Sequence, residues 1–206
     1  MSPRNEEVNE LNNKVVDLFD ESTEKIFTSI DSVKNCDNAA LSESLLPEYF
    51  NTLNPSSLSS YELILRLYPV IMLLRNLNID EGLCNGTRLL VVKMSDNVLC
   101  CEILTGDKAG QLAFIHRISL TSERDYPFKF QRRQFLVKLA FAMTINKAQG
   151  QTFKNVGIDL RRDVFTHGQL YVALSRVKSW NNFRILDPRN VVSSIKNHVF
   201  RQILIN

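Results

Sequence analysis

The chain has 206 residues, 44% apolar and 23% charged, which is enough for a buried core and argues against a disordered polymer. Its apolar runs, such as 69–74 and 89–92, are far too short to span a bilayer. The polar, acidic start MSPRNEEVNELNN has no secretory-signal pattern, so an intracellular chain with no membrane partner is expected. A net charge of +3 hides an asymmetry: residues 1–61 hold four Lys or Arg against eleven Asp or Glu, whereas residues 62–206 hold twenty-one against eleven, a footprint suited to phosphates.

Val8, Leu11, Val15 and Leu18 recur at steps of three and four and predict an amphipathic helix. Pro3 suits its first turn, Glu6 and Glu7 suit its positive end, and Ser2 or Asn5 is the expected N-cap. TEKIFTSIDSV reads as a strand. Residues 35–61, with NPSSLSSYE, read as a long loop. From about residue 62 the texture changes to short apolar or alternating runs: YPVIMLLRNL, TRLLVVKM, VLCCEIL, QLAFIHRI and RRQFLVKLAFAM. Turn signals (DEGLCNG, SDN, TGDKAG, SERDYP) separate them, and the spacing predicts a small antiparallel barrel ending near residue 138.

Beyond it, a strand is expected to end near Thr144, with a helix over Lys147–Phe153. VGIDL and FRILD read as strands and HGQLYVALSRV as a helix. A last helix is expected to start at Asn190, with Val192, Ile195, Val199 and Ile203 as its stripe. This alternation predicts a parallel sheet covered by helices, into which the barrel is inserted. Cys36, Cys84, Cys100 and Cys101 form no C-x-x-C pair, and the histidines are scattered. Free buried thiols are expected, with no metal site and no disulfide.

Three stretches carry candidate chemistry. TINKAQGQTFKN packs Thr144, Asn146, Lys147, Gln149, Gln151 and Thr152 around Gly150. A polar segment between a strand and a helix is where open α/β sheets bind ligands, and Thr144, Asn146 and Lys147 suit phosphate oxygens. A capping and turn network without a ligand is the competing reading. In GQLYVALSRV, helical spacing puts Gln169 and Arg176 on one face, looking outward, with Leu170 and Leu174 toward the core. Arg176, beside Ser175, is then placed either to complete another domain's phosphate site or to pair with a surface carboxylate. In YPFKFQRRQF, Phe128, Phe130 and Phe135 interleave with Lys129, Arg132 and Arg133. That mixture suits stacking on bases and tracking a backbone, or else a barrel strand with phenylalanines inward and basic residues outward. None of the seven glycines is followed by Lys, so the Walker A loop is not in this chain.

INKAQGQT followed by GQLYVALSRV resembles the fifth and sixth motifs of superfamily-one DNA helicases of the RecD/Pif branch. PRNEEVNELN resembles the region of the fourth motif, and VIMLLRNLNIDEGLCNGTRLLVV the start of the small SH3-like barrel in the same enzymes. The likeness is to eukaryotic Pif-type helicases, including those carried by Helitron transposons. It implies an α/β fold: a RecA-like second motor domain of the P-loop NTPase type, residues 1–61 and 139–206, with an inserted SH3-like β-barrel over 62–138. It also implies ATP with Mg2+, bound mainly by a first RecA-like motor domain that this chain lacks, and single-stranded DNA as partner. Roles in DNA repair, recombination and telomere maintenance, in the nucleus ahead of the mitochondrion, follow from the same resemblance.

By position, the resemblance makes Arg176 the arginine finger. It puts Gly150 and Gln151 near the nucleotide cleft, Gln169 and Tyr171 in support, and Arg4 as a second cation near the nucleotide. Thr144, Asn146 and Lys147 would hold the strand, which the motor would track from 5′ to 3′. Asn146 stands where the family commonly has histidine, and Leu67 and Tyr68 stand where it usually has small residues. The chain alone is expected to be inactive. Two other readings stay open, a non-enzymatic single-strand-binding module and an inactive transposon-derived relic.

Overall fold

In the computed structural model, residues 1–34, 53, 58–122, 129–187, 195 and 197–200 are described. They divide into two units, residues 1–15 with 141–206, and residues 16–140. The expected first boundary at 61 therefore falls much earlier, because the strands after residue 24 pair with later strands of the second unit. Most of the expected loop over 35–61, and most of the expected last helix, lie outside the described residues. Residues 197–200 carry no helix.

The second unit is antiparallel throughout. Its strands are β1 (Lys25–Thr28), β2 (Ile30–Lys34), β3 (Glu62–Leu65), β4 (Val70–Leu73), β5 (Arg88–Met94), β6 (Val98–Ile103), β7 (Leu112–His116), β8 (Ile118–Ser122), β9 (Lys129–Gln134) and β10 (Val137–Leu139). Five form a sheet in the order β10-β4-β5-β6-β7, three form β2-β9-β8, and β1 pairs with β3. Strict alternation drives the burial. In β6, Leu99, Cys101 and Ile103 point into the core, and in β7 Ala113 and Ile115 do, while Leu112, Phe114 and His116 face out. The core adds Leu65, Ile71, Leu73, Leu89 and Val91, closed by an edge-to-face pair of Phe27 and Phe135 at 5.2 Å.

Adjacent cysteines obey the same alternation. Cys101 is buried, and burial pushes its thiol up to about 12, whereas Cys100 is only half-buried. Thiol reagents act on the thiolate. At pH 8 in the native state, Cys100 and Cys84 should therefore be labelled at least tenfold faster than Cys101, as read by peptide mass spectrometry. Equal rates would contradict the packing.

Tyr68 lies in the β3–β4 connection. Tyr68 has φ of 67°, the left-handed region. A side chain there costs about 1–2 kcal/mol that glycine avoids. Its N–H is held by the Val91 carbonyl at 2.9 Å.

In the first unit, α1 (Asn5–Val16) starts as its acidic first turn suggests, but not with the expected cap. Asn5 is already helical, and the Ser2 hydroxyl donates to Glu7 Oε2 at 2.8 Å, which also accepts from the Arg4 N–H at 3.2 Å. The Glu7 carboxylate thus reaches back to the residue before the helix, half of a capping box. The buried stripe also differs. Val8 and Val16 are buried, while Leu18 lies beyond the helix and is 83% exposed. Asn12 is buried instead, because its amide mimics a strand: Nδ2 donates to the Ala142 carbonyl at 3.2 Å, and Oδ1 accepts from the Ala142 N–H at 2.7 Å.

The strand expected before Thr144 reduces to one parallel bridge between Ser2 and Thr144. The helix expected over 147–153 is a single 3-10 turn, Ile145–Ala148. Gly150, at φ 76°, takes a left-handed conformation that no helix continues through. β11 (Val156–Asp159) and β12 (Phe183–Leu186) form the predicted strands and pair in parallel. Between them lies a short helix, α2 (Gln169–Leu174). Ile145, Ile158, Leu160, Val164, Leu170 and Ala173 pack together beneath this segment.

Candidate functional site

The polar segment 144–151 and helix α2 lie side by side, fastened at both ends of α2. At the C-terminal end, Arg176 is half-buried, and its guanidinium spends its donors on neutral oxygens. Nε reaches the Val172 carbonyl at 3.0 Å, Nη1 the Gln151 carbonyl at 3.1 Å, and Nη2 the Ser175 hydroxyl at 2.9 Å. Phe153 N–H returns to the Arg176 carbonyl at 2.9 Å, and Phe153 bridges Val177 in parallel. No carboxylate pairs with Arg176 among the described residues. The surface ion pair that the sequence offered as an alternative for this position is absent among those residues.

At the other end, Gln169 departs from expectation. It does not face outward with Arg176 but is buried, 2% exposed. Its Oε1 accepts from the Phe165 N–H at 3.0 Å, and its Nε2 makes long 3.5 Å contacts to the Pro3 carbonyl and to Asn146 Oδ1. Six helical residues are too few for a 3.6-residue stripe to decide the facing, and the backbone groups that claim Gln169 lie outside the helix, at Phe165 just before it and at Pro3.

Between these ends, Asn146 and Lys147 are exposed. The Lys147 ammonium has no ion pair among the described residues, and Gln151 Nε2 donates to the Lys147 carbonyl at 3.2 Å. Thr144 is buried, 7% exposed, and its carbonyl accepts from the N–H groups of Lys147 and Ala148. It shapes the turn and offers little surface. Gly150 is open, with no atom within 4 Å of where a Cβ would stand. Tyr171 is 72% exposed, and Arg4 lies over the Phe165 ring at 5.2 Å. The Arg4–Phe165 contact had no signal in the sequence.

The basic β9 strand divides. Lys129 and Arg133 are exposed. Arg132 is not an outward cation: it shares the inward parity of Phe130 and Gln134 and is 1% exposed. It grips both Asp31 oxygens, Nη2 at 2.7 Å and Nε at 2.9 and 3.2 Å, and donates to the Ser59 carbonyl at 3.1 Å. Its candidacy for nucleic acid is withdrawn, because a cation so enclosed reaches no phosphate. No group of three or more His, Cys, Asp or Glu suited to a metal occurs among the described residues.

These features define an α/β protein with an antiparallel second unit and, just past a short helix and beside a polar turn, an arginine with no carboxylate partner among the described residues. Residues 48–94 match the family described as DNA helicase Pif1, 2B domain. The ATP-dependent DNA helicase PIF1 of Homo sapiens is 36% identical over 149 residues, 68% of this chain and 22% of the human protein. The Candida albicans Pif1 helicase structure superposes with a TM-score of 0.68 at 22% identity, covering 90% of this chain and 44% of that one. A Bacteroides Pif1 bound to single-stranded DNA gives 0.64 at 24%, over 90% and 39%. At such identities the structural likeness speaks for the fold alone. The chain belongs to the Pif-type helicases, and it spans about a fifth of the length of the human relative.

Proposed function

We propose that this chain forms the RecA-like second motor domain, with its SH3-like barrel, of an ATP-dependent DNA helicase moving 5′ to 3′. The observation that carries this reading is Arg176: a half-buried guanidinium whose partners among the described residues are all neutral, tied to the Gln151 carbonyl at 3.1 Å next to the exposed Asn146 and Lys147. A cation left without a carboxylate is suited to a polyanion, and its planar fork matches phosphate oxygens better than an ammonium does.

The chain's own residues fit a partial nucleotide site. Arg176 can meet a phosphate, Gly150 allows close approach, and the P-loop lysine has to come from another domain, since no Gly-Lys pair exists here. ATP with Mg2+, when bound, supplies the phosphoryl transfer that drives movement. Arg176 would then neutralise charge on the transferred group, while Asn146 and Lys147 hold the backbone of a single strand. Lys129 and Arg133 are exposed cations of the second unit that suit nucleic acid by themselves. The Arg176–Gln151 bond gives the nucleotide side a direct connection to the strand side. Tyr171 and Arg4, both exposed, flank the same unit.

Binding to a single-stranded oligonucleotide, titrated at several salt concentrations, tests the strand-holding part. Lys147→Ala should weaken binding and lower the slope of log affinity against log salt by about 0.7, the value for one phosphate contact on a single strand. An unchanged slope removes Lys147 from the interface.

A further inference from the structure

We infer that Gln169 is a positioning residue that fixes which end of the Asn146 amide meets a single strand; the inference rests on the reading above in which Asn146 touches that strand. A primary amide has an acceptor end, its oxygen, and a donor end, its NH2. Phosphate oxygens only accept. An asparagine free to turn over would present its oxygen to phosphate part of the time and repel it.

In this chain the choice is made by a relay of hydrogen bonds. The Phe165 N–H donates to Gln169 Oε1 at 3.0 Å, which commits the Gln169 oxygen. The Gln169 NH2 must then point the other way, where it meets two acceptors, the Pro3 carbonyl and Asn146 Oδ1, each at 3.5 Å. With its oxygen engaged by Gln169, Asn146 turns its own NH2 outward. Asn146 is exposed, and no partner for its Nδ2 is found among the described residues. Gln169 is 2% exposed, so its orientation is set by the protein and not by solvent. The backbone N–H of Phe165 thereby dictates that a surface amide is a donor.

A double-mutant cycle on the 206-residue chain tests this, read as the affinity for an oligothymidylate by fluorescence anisotropy. Gln169→Glu keeps an acceptor for Phe165 but offers no N–H, so Asn146 should turn its NH2 inward and its oxygen outward. Affinity should fall about tenfold, the loss of one hydrogen bond to a charged group. With Asn146→Ala already present, Gln169→Glu should cause no further loss. An equal loss in both backgrounds means a general structural role and overturns the inference. If neither Asn146→Ala nor Lys147→Ala weakens binding, the strand-holding reading itself fails. Should Gln169→Glu fail to fold, the unaltered protein still decides: the side-chain NH2 resonances of Asn146 should shift on adding the oligonucleotide. Unshifted resonances, in a chain whose binding depends on Lys147, would overturn the assignment.

Discussion

Arg132→Ala should destabilise the chain by about 3–5 kcal/mol, measured by urea or thermal unfolding, because it strands a buried carboxylate. The Arg132 and Asp31 side chains are 1% and 5% exposed and meet at 2.7 Å. Without the guanidinium, Asp31 keeps, among the described residues, the Ser29 hydroxyl at 2.7 Å. The Ser59 carbonyl loses its donor as well. Removing both charges is a different matter, since burying an ion pair costs desolvation that apolar residues do not incur. Arg132→Met combined with Asp31→Leu should recover most of the lost stability. A loss below about 1 kcal/mol for Arg132→Ala would mean that the pair is solvated.

Arg176→Lys should lower DNA-stimulated ATP hydrolysis of the assembled motor by about 10³-fold or more, the range set by arginine fingers in other nucleotide hydrolases. An ammonium keeps the charge but loses the fork that bonds Val172, Gln151 and Ser175 together. The folded chain should lose little stability, since these partners are neutral and the group is only half-buried. Single-strand affinity should change far less than the rate. A variant with an unimpaired rate would remove Arg176 from the chemistry. Equal losses of rate and strand affinity would make it a structural strut.

Much of the fold was legible because burial follows simple periods. Alternation in VLCCEIL places Leu99, Cys101 and Ile103 inward, and β11 and β12 follow from VGIDL and FRILD. The structure differs where a polar group outside the element claims a side chain. Asp31, 101 residues away, draws Arg132 into the interior, against an expectation that cations face water. The Phe165 N–H and the Pro3 carbonyl turn Gln169 inward. The Ala142 backbone makes Asn12 a buried helix position. The run AFAMT was apolar enough to suggest a strand, yet only Thr144 bridges, to Ser2. Of the candidate site, the two segments that lie together, 144–151 and 168–177, were readable from residue types. The burial of Arg132 was not, since a hydrogen bond across a long sequence separation leaves no local pattern, and the facing of Gln169 is set by groups outside the helix, Phe165 four residues back and Pro3.

The most direct test of the motor account measures ATP hydrolysis with single-stranded DNA for the chain alone and after adding a separately produced first motor domain from a Pif-type relative. The account predicts no turnover from either part by itself and DNA-dependent turnover from the mixture that vanishes with Arg176→Ala. Hydrolysis by the chain alone, or a mixture indifferent to that substitution, would contradict it.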